Sequence, residues 1–319
     1  MRSDRHRKPG RLLPALILLT LVAGLVGWVV VGALRAEPGA AEAQAPAVEI
    51  HRVQRAGFLP RATTGKPLVV LAIGSDARPD EEVDRRLADS LHLITVNPKL
   101  DGATILGFPR DSYVEIPGVG TRKINDSMFY GGPELVVETI EQLTGITVDY
   151  YLLTSFEGIK EMVDQLGGIE VEVPYAMNDS YSGAVFDAGL QTLDGKQTLA
   201  FSRNRHDTPN GDFSRSENQG LVLLSALRKL ASEFEGDPTA LFRWIAVGMR
   251  NIQTDLTVEE ILDLALTAVQ LDPETVTNLV APGGIGTAGD ASVVILTEEA
   301  GAIFTDMMDD GLVAPPPAG

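Results

Sequence analysis

Hydrophobic residues along this chain change their spacing from segment to segment, and each spacing predicts an element. Short runs of branched apolar residues, bounded by Gly, Pro, Asn or Asp, are typical of buried strands. On this basis we predict strands at 67–74, 92–96, 103–108, 147–153, 169–173, 276–281 and 292–296.

Helical patterns separate these runs, and capping residues mark where the helices begin and end. Pro133 suits the first position of a helix that Gly145 would end, and Ser155 would cap a helix that stops at 167–168. Further helices are predicted from Asp194 to about 202, from Asp212 to about 233, after Asp237-Pro238, after the capping box of Thr257 and Glu260, and from Thr297. Because strands and helices alternate, we predict a single α/β/α layered domain with a mixed central sheet at 67–310, followed by a disordered tail at 311–319.

The first hydrophobic run differs from the others because it is long enough to cross a membrane. Residues 12–34 carry no charge, and as a helix they would span about 35 Å, against about 30 Å for a hydrocarbon core. A cleaved signal peptide with a cleavage site at 41–43 is the alternative, but its apolar run would be only about 7–15 residues long. The basic residues of 1–11 predict a cytoplasmic tail. We therefore expect a single-pass protein of the cell membrane, with a signal-anchor at 12–34, a linker at 35–66 and an extracellular C-terminal domain.

Charge divides at the same boundary. The chain has 26 basic and 44 acidic residues, and the first 35 positions hold six of the former and one of the latter. The remainder therefore carries about −23, which argues against a nucleic-acid-binding surface. In so acidic a domain, arginines that gather in loops predict a local anion site. The chain has no cysteine, so no disulfide supports the fold.

Aspartates and arginines form short motifs that flank the predicted strands. Loops at strand ends form the sites of α/β proteins. Guanidinium groups bind phosphate oxygens in pairs, and two aspartates can hold a hard cation that binds the same phosphates. The pattern therefore predicts a diphosphate site. The motifs are Gly74–Pro79, Asp89-Ser90, Pro109–Asp111 and Arg203–His206, followed by Arg215 and Gln219.

Several common catalytic motifs are missing from the sequence. The four histidines form no HExxH zinc motif, and there is no Gly-x-Ser-x-Gly elbow, P-loop or Gly-x-Gly-x-x-Gly turn. His206 lies beside two arginines, which disfavour its protonated form. We interpret it as a secondary contact or a surface residue rather than a base.

Taken in order, the motifs resemble the LytR–CpsA–Psr family of Gram-positive cell envelopes. The resemblance covers about 67–230 and implies a phosphotransferase of cell wall biogenesis. Such an enzyme takes a glycopolymer from a polyprenyl-diphosphate carrier and attaches it to peptidoglycan. The implied partners are the carrier-linked glycan, peptidoglycan and the membrane. Beyond the motifs above, the resemblance includes Lys123–Asn125, Tyr130–Pro133, Asp149–Tyr151, Phe156–Gly158, Gly167–Ile169, Phe186–Gly189 and Leu193–Gly195.

The resemblance also assigns roles, and these agree with the chemistry of the residue types. Asp76 and Asp89 would hold Mg²⁺ (or Mn²⁺) against the diphosphate. The expected catalytic residues are Asp76, Asp89, Arg110 and Arg205. The expected diphosphate ligands are Arg78, Arg110, Lys123, Arg203, Arg205, Arg215 and Gln219.

Other interpretations of the same residues stay open. Asp76 could form a turn, Asp111 could orient Arg110, and Lys123 could lie in an exposed turn. Members of the family commonly have an arginine where this chain has Leu87, and a neighbouring arginine could restore that contact. The apolar row after Arg215 fits a core or a lipid tunnel. At the level of function, the alternatives are a pyrophosphatase and a non-catalytic protein that binds the lipid carrier.

Overall fold

A computed structural model describes residues 65–314, which contain fourteen strands and seven α-helices. The strands are Leu68–Ser75 (β1), Ala88–Val96 (β2), Ala103–Gly107 (β3), Tyr113–Ile116 (β4), Gly120–Lys123 (β5), Tyr150–Ser155 (β6), Ile169–Val173 (β7), Met177–Asp179 (β8), Ala184–Phe186 (β9), Gly189–Leu193 (β10), Ile252–Thr254 (β11), Val276–Val280 (β12), Gly283–Ala288 (β13) and Ala291–Leu296 (β14). The helices are Asp126–Thr144 (α1), Phe156–Gln165 (α2), Gly195–Arg203 (α3), Asp212–Gly236 (α4), Ala240–Asn251 (α5), Val258–Ala268 (α6) and Glu298–Asp310 (α7).

Six strands form the central sheet in the order β11-β6-β1-β2-β3-β12. β1 is parallel to β6 and antiparallel to β2, while β3 is antiparallel to β2 and parallel to β12. The predicted mixed central sheet is therefore confirmed. Because of these directions, the carboxyl ends of β1, β3, β6 and β12 meet the beginning of β2 at one edge of the sheet. We call this edge the carboxyl edge.

One face of the sheet packs against α1 and α7 around the main hydrophobic core. Leu71, Leu93 and Leu106 belong to this core and are fully buried. The ring of Phe304 in α7 contacts Phe108, with 5.9 Å between the centroids. Since burial of a side chain of this size contributes about 1.5–3 kcal/mol, the core holds both helices on the sheet.

The opposite face is covered by α4, α5 and α6. Successive strand residues point to opposite faces, so Val70 and Ile94 point away from the main core. Together with Leu223, Leu227 and Leu264 they line a cavity of about 390 Å³ between the sheet and these helices, and its wall is apolar almost throughout. We call it the apolar cavity. Helices thus lie on both faces of the sheet, as in the predicted α/β/α layering.

A second hydrophobic cluster lies outside the central sheet. β7 pairs with β10 and β8 pairs with β9, each as a separate two-stranded sheet. Val171, Phe186 and Phe201 belong to this cluster, where the two phenylalanine rings meet edge to face at 6.2 Å. The strand predicted at 169–173 is confirmed, but the sequence places it in the same alternating run as the central strands, and it does not join their sheet. Its residues alternate between buried and exposed, which is typical of a strand with one face in water.

Most predicted helix starts are confirmed by their caps. The hydroxyl of Ser155 accepts a hydrogen bond from Gly158 N at 3.1 Å, and Thr257 forms a reciprocal capping box with Glu260. The helix predicted from Pro133 extends backwards to 126, with a break at Gly132, whose φ of 68° suits glycine. Pro133 therefore begins the second segment of a kinked helix.

Short strands account for most of the differences from prediction. The β4–β5 and β8–β9 hairpins, together with β10, β11 and β13, are not predicted, because three to six residues with many polar positions show no clear period. β2 begins at Ala88, four residues earlier than predicted, and α5 begins at Ala240 rather than directly after Asp237-Pro238. The early start of β2 brings Asp89 into the sheet.

Several predictions lie outside the described residues. The predicted cytoplasmic tail and signal-anchor fall within 1–64, as does nearly all of the linker. Among residues 65–314, no helix has both the length and the apolar character needed to cross a membrane. At the other end, Gly311 ends α7 in a left-handed conformation and Val313 packs against the main core. The first residues of the predicted tail thus belong to the folded domain.

Candidate diphosphate-binding site

A β-bulge places Asp89 at the carboxyl edge. Gly74 pairs with Ser90 and Ser75 pairs with Ala88, so Asp89 has no partner in β1. A bulged residue changes the direction in which nearby side chains point, and bulges are common beside active sites. The bulge therefore turns Asp89 away from the regular alternation of β2.

Beside the bulge lies a pocket of about 140 Å³, which we call the arginine pocket. It brings together six of the predicted site residues from the carboxyl edge and from the segments around the α3–α4 loop. Four guanidinium groups face one carboxylate in its lining, so the pocket favours an anion. The lining residues are Asp89, Arg110, Phe156, Tyr181, Ser182, Arg203, Arg205, His206, Arg215 and Gln219.

Arg110 forms an ion pair with the bulged aspartate. It follows β3, and its Nη1 donates a hydrogen bond to Asp89 Oδ1. Burial alone would lower the pKa of Arg110, but the charge and hydrogen bond of Asp89 raise it. The guanidinium is thus held charged at the sheet edge. Its Nε is buried and has no hydrogen-bond acceptor among the described residues.

Arg215 lies in the first turn of α4 and is the most buried of the four arginines. It is 5% exposed, and its Nη2 lies 2.5 Å from Asp212 Oδ1. Burial lowers the pKa of Arg215, while the charge of Asp212 opposes the shift. Its Nε is also buried without an acceptor among residues 65–314. A buried donor left unpaired costs about 1–3 kcal/mol, and a phosphate oxygen would satisfy it.

Gln219 lies one helical turn beyond Arg215 and ties the walls of the pocket together. Its amide nitrogen donates to the backbone oxygens of Asp89 at 3.3 Å and Ser202 at 3.1 Å. The sequence predicts a ligand at this position. The hydrogen bonds of its amide nitrogen fasten α4 to β2 and to the end of α3, and the residue also lines the pocket.

Arg203 and Arg205 complete the wall from the α3 side. Arg203 ends α3, and its guanidinium lies 5.0 Å from the centre of the Phe156 ring in a cation–π contact. Arg205 is exposed, and no ion-pair partner of its side chain lies within the described part of the chain. Its fork is therefore available to a ligand.

Asp76 follows β1 and lies close to the pocket without lining it. Its Oδ1 accepts a hydrogen bond from Leu87 N at 3.1 Å. Burial raises the pKa of Asp76, and the negative charge of Asp89 raises it further, while Arg86 and Arg110 oppose the shift. Two carboxylates that repel each other in this way are stabilised by a cation between them.

The donor set suits a hard divalent cation that shares its ligands with a substrate. Within 65–314, no group of three or more His, Asp or Glu side chains could hold a metal ion. Mg²⁺ commonly binds through one or two carboxylates and completes its shell with phosphate oxygens and water. Asp76 and Asp89 fit that pattern.

The other predicted ligands lie outside the pocket lining. Arg78 is exposed, and its backbone N–H donates to Glu81 at 2.9 Å. Lys123 forms an ion pair with Asp111 at 2.9 Å, whereas Arg110 Nε is 4.0 Å from that carboxylate. Asp111 is therefore closer to Lys123 than to Arg110.

Leu87 stands where members of the family commonly have an arginine, and the neighbouring Arg86 lies close to Asp76. Its backbone exchanges hydrogen bonds with Asp76. The neighbouring Arg86 has its Nε 3.7 Å from Asp76 and 3.2 Å from Glu81. The arginine beside this position thus supports Asp76 and does not line the pocket.

Tyr181 and Ser182 are pocket residues that the sequence does not single out, and Phe156 enters the sequence analysis only as part of a motif, with no role in the site. Asp179 orders the loop that carries the first two, because it accepts hydrogen bonds from Tyr181 N at 3.0 Å and Ser182 N at 3.1 Å. It also accepts one from His206 Nδ1 at 3.3 Å. Burial would raise the pKa of Asp179, but these bonds lower it to about 2. The signal in the sequence is an aromatic residue at the centre of a stretch rich in turn residues, 178–183.

The arginine pocket and the apolar cavity follow one another along α4. Arg215, Gln219, Leu223 and Leu227 recur every four residues, so they lie on one face of the helix. The first two line the pocket and the last two line the cavity. At about 1.5 Å per residue, Leu223 lies about 12 Å beyond Arg215. This arrangement suits an amphiphile with an anionic head and an apolar tail.

Comparison with known proteins identifies a family and several relatives of this chain. The LytR_cpsA_psr family model matches residues 36–308. TagU of Bacillus licheniformis, a polyisoprenyl-teichoic acid–peptidoglycan teichoic acid transferase, is 38% identical over 199 residues, which are 62% of this chain and 63% of that protein. The match thus spans less than two thirds of the relative's length.

Solved structures show the same fold. A protein from Streptococcus agalactiae superposes with a TM-score of 0.67 at 25% identity, covering 77% of this chain and 88% of its own. TagT bound to LI-WTA superposes with a TM-score of 0.64 at 25% identity, covering 83% of this chain and 98% of its own.

Proposed function

The chain belongs to the LytR_cpsA_psr family, and we propose that it is a metal-dependent phosphotransferase of cell wall biogenesis. It would attach a glycopolymer from a polyprenyl-diphosphate carrier to peptidoglycan. The names of curated relatives such as TagU support a transferase that acts between a polyisoprenyl-linked polymer and peptidoglycan.

The observation that carries this proposal is the succession of two different surfaces along one face of α4. Four arginines gather in one pocket, and the next turns of the same helix face line an apolar cavity. A sugar nucleotide or a free phosphate would use the first surface only. A prenyl diphosphate would use both, with its diphosphate at Arg215 and its tail against Leu223 and Leu227.

The arginines would bind the diphosphate and stabilise the charge that develops on the leaving group. In the transfer, an acceptor hydroxyl would give its proton to a carboxylate of the site while its oxygen bonds to the phosphorus that carries the glycan. The bond from that phosphorus to the bridging oxygen breaks, and prenyl monophosphate leaves. Arg110 and Arg215 present buried Nε donors that phosphate oxygens would satisfy, and Arg205 adds an uncommitted fork. Donors fixed in place before the reaction are the largest source of stabilisation in such sites.

Asp76 and Asp89 would hold Mg²⁺ or Mn²⁺ beside the diphosphate. When bound, this ion would offset the negative charge of the phosphates. Binding of the ion to Asp89 would weaken the ion pair of this carboxylate with Arg110 and let the guanidinium turn to a phosphate oxygen. The chain's own contribution is therefore an exchange of ion-pair partners at the sheet edge.

We also propose that the domain lies outside the cell, anchored by the segment at 12–34. The basic residues before that segment support this orientation. Protease added to intact protoplasts would then remove the domain and leave the N-terminus in the membrane. A domain protected from the protease would refute the orientation.

The activity can be tested on the full chain in detergent with a prenyl-diphosphate-linked glycan, peptidoglycan oligomers and Mg²⁺. A product in which the glycan is joined to peptidoglycan would support transfer. Release of phosphoglycan alone would indicate a pyrophosphatase. Binding without turnover would indicate a carrier-binding protein. Omission of Mg²⁺ tests the metal dependence in the same assay.

A further inference from the structure

We propose that Tyr181 is a platform for the first pyranose ring of the glycan carried by the diphosphate. This inference rests on the function proposed above and assigns its sugar-binding position. Tyr181 is 80% exposed, and its ring packs on His206 with 4.6 Å between the ring centroids and 34° between the planes.

The ring is held in place from below. Asp179 is almost fully buried and accepts hydrogen bonds from the backbone of Tyr181 and Ser182 and from the imidazole of His206. One carboxylate therefore fixes both the backbone under the tyrosine and the ring on which the tyrosine packs. Single exposed apolar side chains are ordinary on protein surfaces. An exposed aromatic ring that is anchored this way at the mouth of an anion pocket is prepared for a ligand.

The direction of the carrier places a sugar at this ring. The diphosphate joins two groups, the prenyl tail and the glycan. The tail would run along α4 toward Leu223 and Leu227, which line the apolar cavity. Tyr181 and Ser182 line the arginine pocket and are not among the residues of that cavity. The glycan would therefore leave the pocket on the side of Tyr181.

The chemistry of the position suits a pyranose. A pyranose has a face of C–H groups, which packs on an aromatic ring, and a rim of hydroxyls, which need polar partners. Tyr181 offers the flat apolar surface together with its own hydroxyl. Ser182 adds a second hydroxyl beside it. The arginines are then left to the phosphates.

Two short probes separate the sugar from the diphosphate. Geranyl diphosphate lacks the sugar, and geranyl-diphospho-N-acetylglucosamine carries it. Their binding to the full chain in detergent with Mg²⁺ is measured by titration calorimetry. We expect Tyr181→Ala to weaken binding of the glycosylated probe about three- to tenfold and to leave geranyl diphosphate unchanged. Tyr181→Phe should keep most of the affinity, because it retains the ring.

Val185→Ala is the matched control. Val185 belongs to the same β8–β9 hairpin and is 69% exposed, but it does not line the pocket. Its replacement should change neither affinity. Equal losses in Tyr181→Ala and Val185→Ala would mean that the hairpin alone matters and would overturn the proposal.

The other outcomes decide between related ideas. If Tyr181→Ala weakens both probes equally, or neither, the platform does not exist. If donor binding is unchanged and the KM for peptidoglycan oligomers rises, the ring serves the acceptor sugar, and the assignment to the donor is overturned. If the wild-type chain does not bind geranyl diphosphate, the proposed function itself fails. If it binds geranyl diphosphate and the glycosylated probe with equal affinity, the proposed role of Tyr181 is wrong and the proposed function stands.

Discussion

Replacing Arg205 by lysine tests whether the arginine pocket grips a diphosphate through paired hydrogen bonds. Lysine keeps the positive charge but loses the planar fork, which binds two phosphate oxygens at once. Arg205 is exposed and has no ion-pair partner among residues 65–314. The change should therefore leave the fold intact, and its effect should fall on the transfer reaction.

The size of the effect follows from that exposure. A hydrogen bond to a charged group contributes about 1.5–3 kcal/mol. Because water competes at an exposed position, we expect the lower part of that range, about 1.5–2 kcal/mol. This corresponds to a loss of about 10- to 30-fold in kcat/KM for the carrier-linked glycan. The assay follows formation of the joined glycan–peptidoglycan product at limiting carrier concentration.

Arg243→Lys is the matched control, because it also replaces a guanidinium by an ammonium group and keeps the positive charge. Arg243 lies on α5, away from the pocket, with its Nη2 2.5 Å from Glu233 Oε2. Lys229 and Trp244 also bind that carboxylate, so the exchange should change stability by less than about 0.5 kcal/mol. Equal transfer rates for Arg205→Lys and Arg243→Lys would show that no bidentate contact is made at Arg205.

Three further changes test other parts of the structure. Asp255→Asn should raise stability by up to about 3 kcal/mol at pH 8 in urea denaturation, because burial raises the pKa of Asp255 to about 6. Protonated Asp255 stabilises the fold fully below about pH 4, and this contribution is lost as the pH rises through about 6. In the variant, the free energy of unfolding should therefore change less between about pH 4 and about pH 6; a pH profile equal to that of the wild type would contradict this. In Gly107→Ala, the new Cβ would clash with Ser216 Oγ, so the free energy of unfolding should fall by about 1–3 kcal/mol. Turnover should fall as well, because Ser216 is next to Arg215; a variant with the wild-type melting temperature would contradict this prediction. Chelation of divalent cations should weaken geranyl diphosphate binding to the wild type by about 5- to 150-fold and have no effect on Asp89→Ala, whereas equal weakening of both would remove Asp89 from the metal site.

The elements that can be predicted from the sequence are those whose cause is local. β1 and β3 are found because they are buried on both faces, so nearly every residue in them is apolar. Ser155 and Thr257 are found because a cap depends only on the residues that follow it within one turn. These features need no knowledge of what lies across the sheet.

The parts that depend on distant pairing are not predictable in this way. Asp89 is bulged because β1 is in a particular register with β2, and no local pattern carries that register. The position of Tyr181 depends on His206, 25 residues further along the chain. The three-residue strands on either side of the turn that holds Tyr181 are too short to show a period.

The choice of ligands among the arginines shows the same division. Residue type and strand-end position select Arg78 and Arg110 equally well. Arg110 follows β3 inside the sheet and reaches Asp89, whereas Arg78 lies in an exposed loop next to Glu81. Only the packing of the two segments distinguishes Arg110 from Arg78. The sequence therefore predicts the kind of site, but not which residues line it.

Burial explains which arginines of the pocket have an ion-pair partner within the domain. A buried charge without a partner is costly, and Arg110 and Arg215 are accordingly paired with Asp89 and Asp212. Arg205 is exposed and needs no internal partner. Under the proposed function, a diphosphate that arrives with a cation would enter without leaving any buried charge unpaired. Phosphate oxygens would replace Asp89 as the partner of Arg110, and the cation would replace Arg110 as the partner of Asp89. Either ligand alone would leave one member of that pair unbalanced, which is why binding of the two should be coupled.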